Sequence, residues 1–522
     1  MTGRPEAQDQ TEVIDFLSRA DSYGTGVDSV KRIDTHGAVV FLAGERAYKL
    51  KRAVRFPYMD YSTPEKRRAM CEAELAINRR TAPMLYEAVM PVTREAGALR
   101  IGGTGEAVDW LVVMRRFDEA GLFDHLAARG ALTDALMREL AVEIAEFHAA
   151  AERRPDHGGA AGIEWVIDGN RTGLLDAGEM FARDKVERFD HECRGALERS
   201  RALLDARRAA GFVRRCHGDL HLRNICLIDG HPVLFDAIEF SDRIACIDTL
   251  YDLAFLLMDL EQRGLRPLGN AAFNAYLQAS GDRGALAALP LFLACRAGVK
   301  AQTLAASARA QPVEAARNTL AGQARAALDL GLGFLSPVPA RLVAIGGLSG
   351  TGKSTVARLV APALGRAPGA VVLRSDVIRK TLAGVSPTTR LDAGAYTRES
   401  SRRVYRTLID SAREVAATGQ AAIADAVFAA PEERDAIAAA ARAAGVAFTG
   451  IWLEAPPERL AERINARRDD ASDATVEVLR RQLAYDLGAI EWRRVDASGR
   501  PEDIAAAIAS FVSACPDTGN RC

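Results

Sequence analysis

The sequence predicts two domains: an N-terminal α+β domain in two lobes, and a C-terminal α/β domain on a parallel, doubly wound sheet. Three observations lead there. The 522 residues exceed what a single domain ordinarily holds. The stretch Gly331-Leu-Gly-Phe-Leu-Ser-Pro-Val-Pro-Ala340 carries two Gly and two Pro and closes an Ala-rich helical region. The order of elements also changes there, from strands followed by helices to strands alternating with helices. The boundaries so read are 1–335 and 336–522.

Composition narrows the class. Apolar residues make up 48% and charged residues 26%, enough for packed cores and unlike a disordered chain. Lys plus Arg is 68 and Asp plus Glu 69, a net charge of -1, which argues against a dedicated nucleic-acid or membrane-surface protein. No apolar run reaches the roughly 18 residues of a bilayer span. The first residues, MTGRPEAQDQTEVIDF, carry acids where a secretory signal carries bases, so a cytoplasmic location is expected. The eight Cys are scattered without a C-x-x-C pair, which indicates neither a disulfide framework nor a zinc site. Lysine is scarce, with eight Lys against 60 Arg, so a Lys at a phosphate-binding spacing stands out.

In the N-terminal part, Ala38-Val-Val-Phe-Leu42 reads as the first strand, Gly44-Glu45 as a turn and Arg46-Ala-Tyr-Lys-Leu-Lys51 as the second strand. Helical patterns cover Pro64 to Arg80 and Leu132 to Ala150. Asn224–Ile228 and Pro232–Asp236 flank Asp229-Gly230 as a hairpin, and beyond Asp248 the pattern is helical. A small sheet-rich lobe on a larger helical lobe follows. In the C-terminal part, Leu342–Ile345, Ala370–Leu373, Ala421–Ala424 and Phe448–Trp452 read as buried strands with helices between them.

The C-terminal part holds the most specific motif. Gly347, Ser349, Gly350, Thr351, Gly352, Lys353 and Ser354 belong to Gly347-Leu-Ser-Gly-Thr-Gly-Lys-Ser354, which satisfies G-x-x-x-x-G-K-[ST]. It lies between a strand and a helical pattern starting at Thr355. Such glycines let backbone N–H groups converge on phosphates at a helix N-terminus, with Lys353 reaching the β- and γ-phosphates and Ser354 ligating Mg²⁺. Past the next strand stands Arg374-Ser-Asp376-Val-Ile-Arg379. A carboxylate at a strand's C-terminal end faces the ligand crevice of an open sheet. Asp376 there suits the acceptor's proton and Arg379 a phosphate, the bland reading being the start of a solvated helix. Asp425 is read either as a Mg²⁺ partner or as a helix cap. Arg463, Arg467 and Arg468, on one helical pattern, are either phosphate-closing or surface arginines.

The N-terminal part carries His217-Gly218-Asp219-Leu-His221-Leu-Arg-Asn224 running into the hairpin that ends at Asp236. Phosphoryl transfer needs a carboxylate near the acceptor hydroxyl and oxygen ligands for Mg²⁺. Asp219 fits the first role, and Asn224 with Asp236 the second. The two His lack a third partner at metal-ligand spacing. On the strand Arg46–Lys51, Ala47 and Lys49 share a face, as in the A-x-K of V-A-I-K. Lys51 shares that face too and is a rival for the nucleotide lysine. Glu74 is the chosen Lys partner over Glu72, and Met114 in Leu111-Val-Val-Met-Arg-Arg-Phe117 leads into a hinge between the lobes. Asp248 and Asp252 are candidates to brace the His-Gly-Asp loop, or helix N-terminal carboxylates.

These motifs resemble known families. Residues 341–513 resemble small P-loop kinases: the zeta-toxin-like AAA-type group, polynucleotide 5′-kinase and chloramphenicol phosphotransferase. The likeness is carried by the phosphate loop and the pair Asp376 and Arg379. The loop at 217–224 resembles the aminoglycoside phosphotransferase and choline-kinase branch of the protein-kinase-like fold, over roughly residues 20–330. The chain as a whole resembles bacterial aminoglycoside phosphotransferase family/ATP-binding fusion proteins. The resemblance implies transfer of the ATP γ-phosphate to a hydroxyl of a small-molecule acceptor, with ATP and Mg²⁺ as cofactors. Two departures mark the N-terminal part: no G-x-G-x-x-G separates the first two strands, Thr35-His36-Gly37 standing ahead of them, and D-F-G is replaced by Asp236-Ala-Ile. The missing Gly-rich loop motivates an alternative, an ATP-binding regulatory protein in which one domain senses nucleotide and gates the other. A polynucleotide-end kinase in the C-terminal part is a second alternative. Acids and arginines are about equal across 155–210, which does not suit a polycationic antibiotic.

Overall fold

The computed structural model describes residues 9–56, 59–386, 388–466 and 471–514. Packing divides the chain into two compact units, Met1–Asp259 with Cys295–Leu320, and Leu260–Ala294 with Ala321–Cys522. Residues 260–294, which precede the sequence boundary at 335/336, therefore pack with the second unit. The helix Glu314–Leu335 also runs through Gly331 and Gly333, so the connection to the next strand begins only at Ser336.

The first unit holds a six-stranded antiparallel sheet in the order Val30–Asp34, Ala38–Ala43, Arg46–Lys51, Glu106–Arg115, Tyr86–Glu95, Ala98–Ile101. The expected first strand is in fact the second. Val30–Asp34 precedes it, with Asp34 opposite Val39 and Val30 opposite Ala43, which makes Thr35-His36-Gly37 the turn between the first two strands. That strand escaped the hydrophobic pattern because it is an edge strand with half-buried and exposed positions only, charged as exposed edges tend to be. One face of the sheet, with Val39, Phe41, Leu50, Leu111 and Val113, buries against Val13, Phe16 and Leu17 of the helix Thr11–Leu17. The helix Pro64–Asn78 starts at Thr63, whose hydroxyl accepts from Lys66 N, with Pro64 at the first helical position. A fully buried ion pair fixes it to the sheet: Arg67 Nε donates to Asp109 at 2.7 Å. This helix carries Glu74 toward Lys49. The hairpin strands are Ile225–Ile228 and His231–Leu234, and the short pair Val213–Arg215 and Cys246–Asp248 lies on either side of the His-Gly-Asp loop in sequence.

The second unit is built on a five-stranded parallel sheet in the order Val371–Arg374, Ala422–Asp425, Arg341–Gly346, Ala447–Glu454, Arg493–Asp496. Four of these strands match the sequence pattern to within a few residues. Arg493–Asp496 does not, because an edge strand reading Arg-Arg-Val-Asp has no apolar run. Val343, Ile345, Ile423, Ile451 and Leu453 form the core with Val356 and Val360 of the helix Lys353–Val360 and Ile508 and Val512 of the helix Pro501–Ala514. Among the described residues no helix is long and apolar enough to cross a membrane.

Candidate active sites

In the first unit, alternation along Arg46–Lys51 points Lys49 and Lys51 the same way, and Glu74 meets both. Lys49 Nζ lies 2.8 Å from Glu74 Oε1, and Lys51 Nζ lies 2.5 Å from Glu74 Oε2. Lys49 also reaches Asp236 Oδ1 at 2.6 Å, while Lys51 reaches Glu239 Oε1 at 2.5 Å. Burial works against the charge on both lysines, but the carboxylates outweigh it and raise both ammonium groups well above their ordinary range. Burial likewise opposes ionisation of Glu74, and the two lysines overcome it and hold the carboxyl low. Glu72 instead pairs with Arg68 on the surface. Met114 sits opposite Ala47 on the strand leading to the second lobe.

The His-Gly-Asp loop brings the remaining groups. Asp219 accepts from Asn224 Nδ2 at 3.0 Å, and His221 Nε2 stands 3.4 Å from the same carboxylate. Burial would raise the Asp219 carboxyl, yet His221, His217 and Arg296 more than offset it and keep it ionised. Its side chain is 37% exposed and Asp236 is 44% exposed, so both carboxylates remain open to a ligand. Asp236 has φ +61°, a left-handed conformation held by Asp236 N donating to Tyr86 OH at 3.2 Å and Ala237 N to Asn78 Oδ1 at 2.8 Å. A cavity of about 250 Å³ is lined by Lys49, Asp219, Asp236, Glu239 and the turn residues Thr35 and His36. Asn224 and Asp236 offer the hard oxygen donors that Mg²⁺ takes, since Asn224 spends its Nδ2 on Asp219 and keeps Oδ1.

Of the two bracing candidates, Asp252 holds the loop. Its carboxylate accepts from His217 N at 3.0 Å and Gly218 N at 2.9 Å, and His148 Nε2 lies 3.1 Å away. Asp248 instead pairs with Arg207 at 2.7 Å. Glu239 carried no motif in the sequence; the only signal was a second acid three residues after Asp236.

In the second unit the phosphate loop lies against the helix Pro457–Asn465. A Cβ on Gly350 would stand 2.6 Å from Leu460 O, and one on Gly347 2.4 Å from Leu453 O, so neither position admits a side chain. Thr351 Oγ1 donates to Leu348 O at 2.8 Å, and Ser349 N to Gln482 Oε1 at 2.8 Å. Gln482 was not anticipated, its helix being far along the chain. Gly352 caps the helix that Lys353, Ser354 and Thr355 begin. Lys353 Nζ donates to Leu348 O at 3.0 Å, and Ser354 Oγ to Asp425 Oδ2 at 2.5 Å, which joins Ser354 and Asp425 at the ends of neighbouring elements. Oxygen donors at this spacing suit Mg²⁺. Arg374 Nε stands 3.5 Å from Asp425. Asp376 is half-buried; desolvation, and next the charge of Asp425, raise its carboxyl above the ordinary range.

Arg379 has its fork on the protein. Nη1 donates to Ala395 O at 2.8 Å and reaches Ser400 Oγ at 3.4 Å, and the guanidinium lies 4.6 Å from the centre of the Tyr396 ring. The neighbouring Lys380, buried, pairs with Asp473 at 3.2 Å. Arg463 is half-buried on its helix, and Arg467 and Arg468 lie outside the described residues.

Comparison with known proteins places a family match in each part of the chain. Residues 58–289 match the phosphotransferase enzyme family and residues 342–486 match an AAA domain. Uncharacterized proteins of Mycobacterium tuberculosis and Mycobacterium bovis are each 30% identical over 483 residues, covering 90% of this chain and 92% of theirs. Among solved structures, an ethanolamine kinase of Plasmodium vivax is 10% identical, covering 59% of this chain and 83% of its own, with a TM-score of 0.38. The Mycobacterium tuberculosis APS kinase is 19% identical, covering 34% of this chain and 100% of its own, with a TM-score of 0.26. This chain belongs to one family with the mycobacterial proteins, and it is a fusion of a kinase-like phosphotransferase-family domain with an AAA-type P-loop kinase domain.

Proposed function

We propose that the chain is an enzyme with two phosphotransferase centres, in functional domains 1–335 and 336–522, each passing the ATP γ-phosphate to a hydroxyl of a small-molecule acceptor. The observation that carries this reading is Lys49, which stands 2.8 Å from Glu74 and 2.6 Å from Asp236 on the wall of a cavity that Asp219 also lines. Lys49 pairs the nucleotide phosphates, and the turn Thr35-His36-Gly37 covers them in place of a Gly-rich loop. Asp219, ionised at neutral pH, accepts the proton of the acceptor hydroxyl. In the P-loop centre the backbone N–H groups of 350–354 and Lys353 hold the phosphates, and Asp376 receives the proton. Its raised carboxyl makes it the stronger base of the two once ionised. Asn224 and Asp236 in one centre, and Ser354 with Asp425 in the other, would hold Mg²⁺, which would supply charge neutralisation at the phosphates. Arg379 orders the segment 395–401 rather than offering its fork to an acceptor phosphate, which weighs against a polynucleotide end as acceptor, as does the net charge of -1.

The test is transfer from γ-labelled ATP into a bacterial small-metabolite extract by the wild type, Asp219→Ala and Lys353→Ala. A labelled product lost in one variant assigns the chemistry to that centre. ATP binding without any labelled product would favour the nucleotide-sensing alternative.

A further inference from the structure

The outer edge of the P-loop sheet is closed by side chains instead of a strand. Val371–Arg374 ends the sheet, so its outward peptide groups need partners from elsewhere. Asn274, on the helix Arg266–Ser280 of the same unit, supplies them: its Oδ1 accepts from Val372 N at 2.7 Å, and its Nδ2 donates to Ala370 O at 3.1 Å. A residue on a parallel neighbour would flank Val371 in the same way, taking the N–H after it and giving to the carbonyl before it. The Asn274 amide thus stands in for the N–H and C=O of one residue of a sixth strand. Asn270, one turn earlier and 3% exposed, adds a second donor to Ala370 O at 3.1 Å, and its Oδ1 accepts from Asn274 Nδ2 at 3.1 Å, which fixes the orientation of that amide. The approach is close: Gly369, at φ +113°, would place a Cβ 2.9 Å from Asn270 Nδ2. Further along the same segment, Leu286 O accepts from Arg366 Nη2 at 2.8 Å. Two Asn at i, i+4 spacing inside a helix disfavour it by propensity, so their presence calls for a tertiary reason.

We propose that Asn274, steadied by Asn270, is a positioning residue of the P-loop centre: by fixing Val371–Arg374 it sets where Arg374 and Asp376 stand with respect to Lys353 and Asp425. The inference rests on the reading of Asp376 as the proton acceptor of that centre. Arg374 lies two positions after Val372 and Asp376 is the second residue of the helix Ser375–Leu382 that follows, so a slip of the strand edge passes directly into the site. Displacements of about 1 Å at a reacting group are enough to change turnover by orders of magnitude.

The test uses the full chain carrying Lys49→Ala to silence the N-terminal centre, with water as the acceptor in Mg-ATP hydrolysis and with hydrogen exchange read by mass spectrometry. With Asn274→Leu added, exchange across 371–376 is expected to quicken by about tenfold or more, while the protection that Mg-ATP confers on 347–354 persists. The kcat for hydrolysis is expected to fall about tenfold at unchanged KM for ATP. Asn274→Asp keeps the acceptor for Val372 N–H and loses the donor to Ala370, so it should lie between the two in both readouts. Unchanged exchange across 371–376 in Asn274→Leu would overturn the proposal. So would faster exchange with unchanged hydrolysis, because the amide would then only cover an edge. If Asn274→Leu unfolds the unit, Asn274→Asp decides: intermediate exchange at 371–376 supports the proposal, and wild-type exchange overturns it. Should the parent hydrolyse no ATP, the exchange data decide: faster exchange across 371–376 in Asn274→Leu supports the proposal, and unchanged exchange overturns it.

Discussion

Glu74 shows how much of the N-terminal centre depends on a single carboxylate. One oxygen holds Lys49 and the other Lys51, and the two lysines differ in their second partner, Asp236 or Glu239, and in burial, Lys51 being the deeper. That difference separates their expected phenotypes. Lys51→Met leaves Glu239 to the Tyr61 hydroxyl, without its cation, and half of Glu74 unpaired in a site where Lys51 itself is 1% exposed, and should destabilise the first unit by about 3–5 kcal/mol in urea unfolding. Lys49→Met leaves Asp236 open to water and Glu74 still paired, so a loss of about 1 kcal/mol is expected alongside loss of transfer by that centre. Equal destabilisation by the two variants would contradict this division. Asp376 offers the opposite case. Its folded carboxyl is raised by burial and by Asp425, so the native state binds the extra proton above the unfolded value of about 3.9. Stability from this group is therefore lost as pH rises through that window, and the strain persists at neutral pH. Asp376→Asn should stabilise the second unit by about 1 kcal/mol at pH 7.5, with the advantage gone once pH has fallen to about 4, and should abolish transfer by the P-loop centre. Thermal midpoints at the two pH values check the sign.

At the scale of elements, the His-Gly-Asp loop owes its shape to the start of the helix Thr249–Gln262. Asp252 takes two backbone N–H groups of the loop, and Gly218 turns at φ +84° with Ile238 and Ala245 3.3 Å from where a Cβ would stand. Asp252→Ala leaves both buried donors unsatisfied, and about 2–4 kcal/mol of stability should go with them. Asp252→Asn retains one acceptor and should lose less; chemical denaturation with product formation followed in parallel distinguishes a misplaced loop from an unfolded unit. In the sequence, Asp248 and Asp252 carried equivalent signals, both being carboxylates near a helix start. Only packing separates them, because Arg207 comes to Asp248 from a helix ending about forty residues earlier. The phosphate loop was legible without such help, because strand, glycines, Lys353 and helix are contiguous in the sequence.

For the whole molecule, two nucleotide centres in one chain predict two separable ligand responses. Mg-ATP at a hundred times its Kd should stabilise each unit by about 2.7 kcal/mol, and removal of Mg²⁺ with EDTA should reverse most of the gain. In calorimetry of the full chain, Lys353→Ala should cancel the response of one transition and Lys49→Ala that of the other. A single variant that cancels both would show that the centres are thermodynamically linked. The two-part architecture was legible because the alternation of strands and helices changes along the chain. The reading stopped short at one interior strand, Tyr86–Glu95, and otherwise mainly at edges and joints. Val30–Asp34 and Arg493–Asp496 are edge strands whose charged residues hide the strand pattern, and Gly331 and Gly333 sit inside a helix that tertiary packing sustains.

What the sequence determined by itself was chemistry whose parts lie within a few residues of one another: the phosphate loop at 347–354, the Asp219 to Asn224 spacing, the A-x-K strand and the order of elements. These follow from local periodicity and backbone conformation, which neighbouring residues dictate. Tertiary structure alone decided that Glu74 serves two lysines, that Asp252 and not Asp248 holds the loop, that Gln482 reaches the phosphate loop, and that helix Arg266–Ser280 closes the edge of the P-loop sheet. Each of these joins residues distant in the chain, and the free energy of such a contact depends on burial and exact geometry that no local pattern encodes.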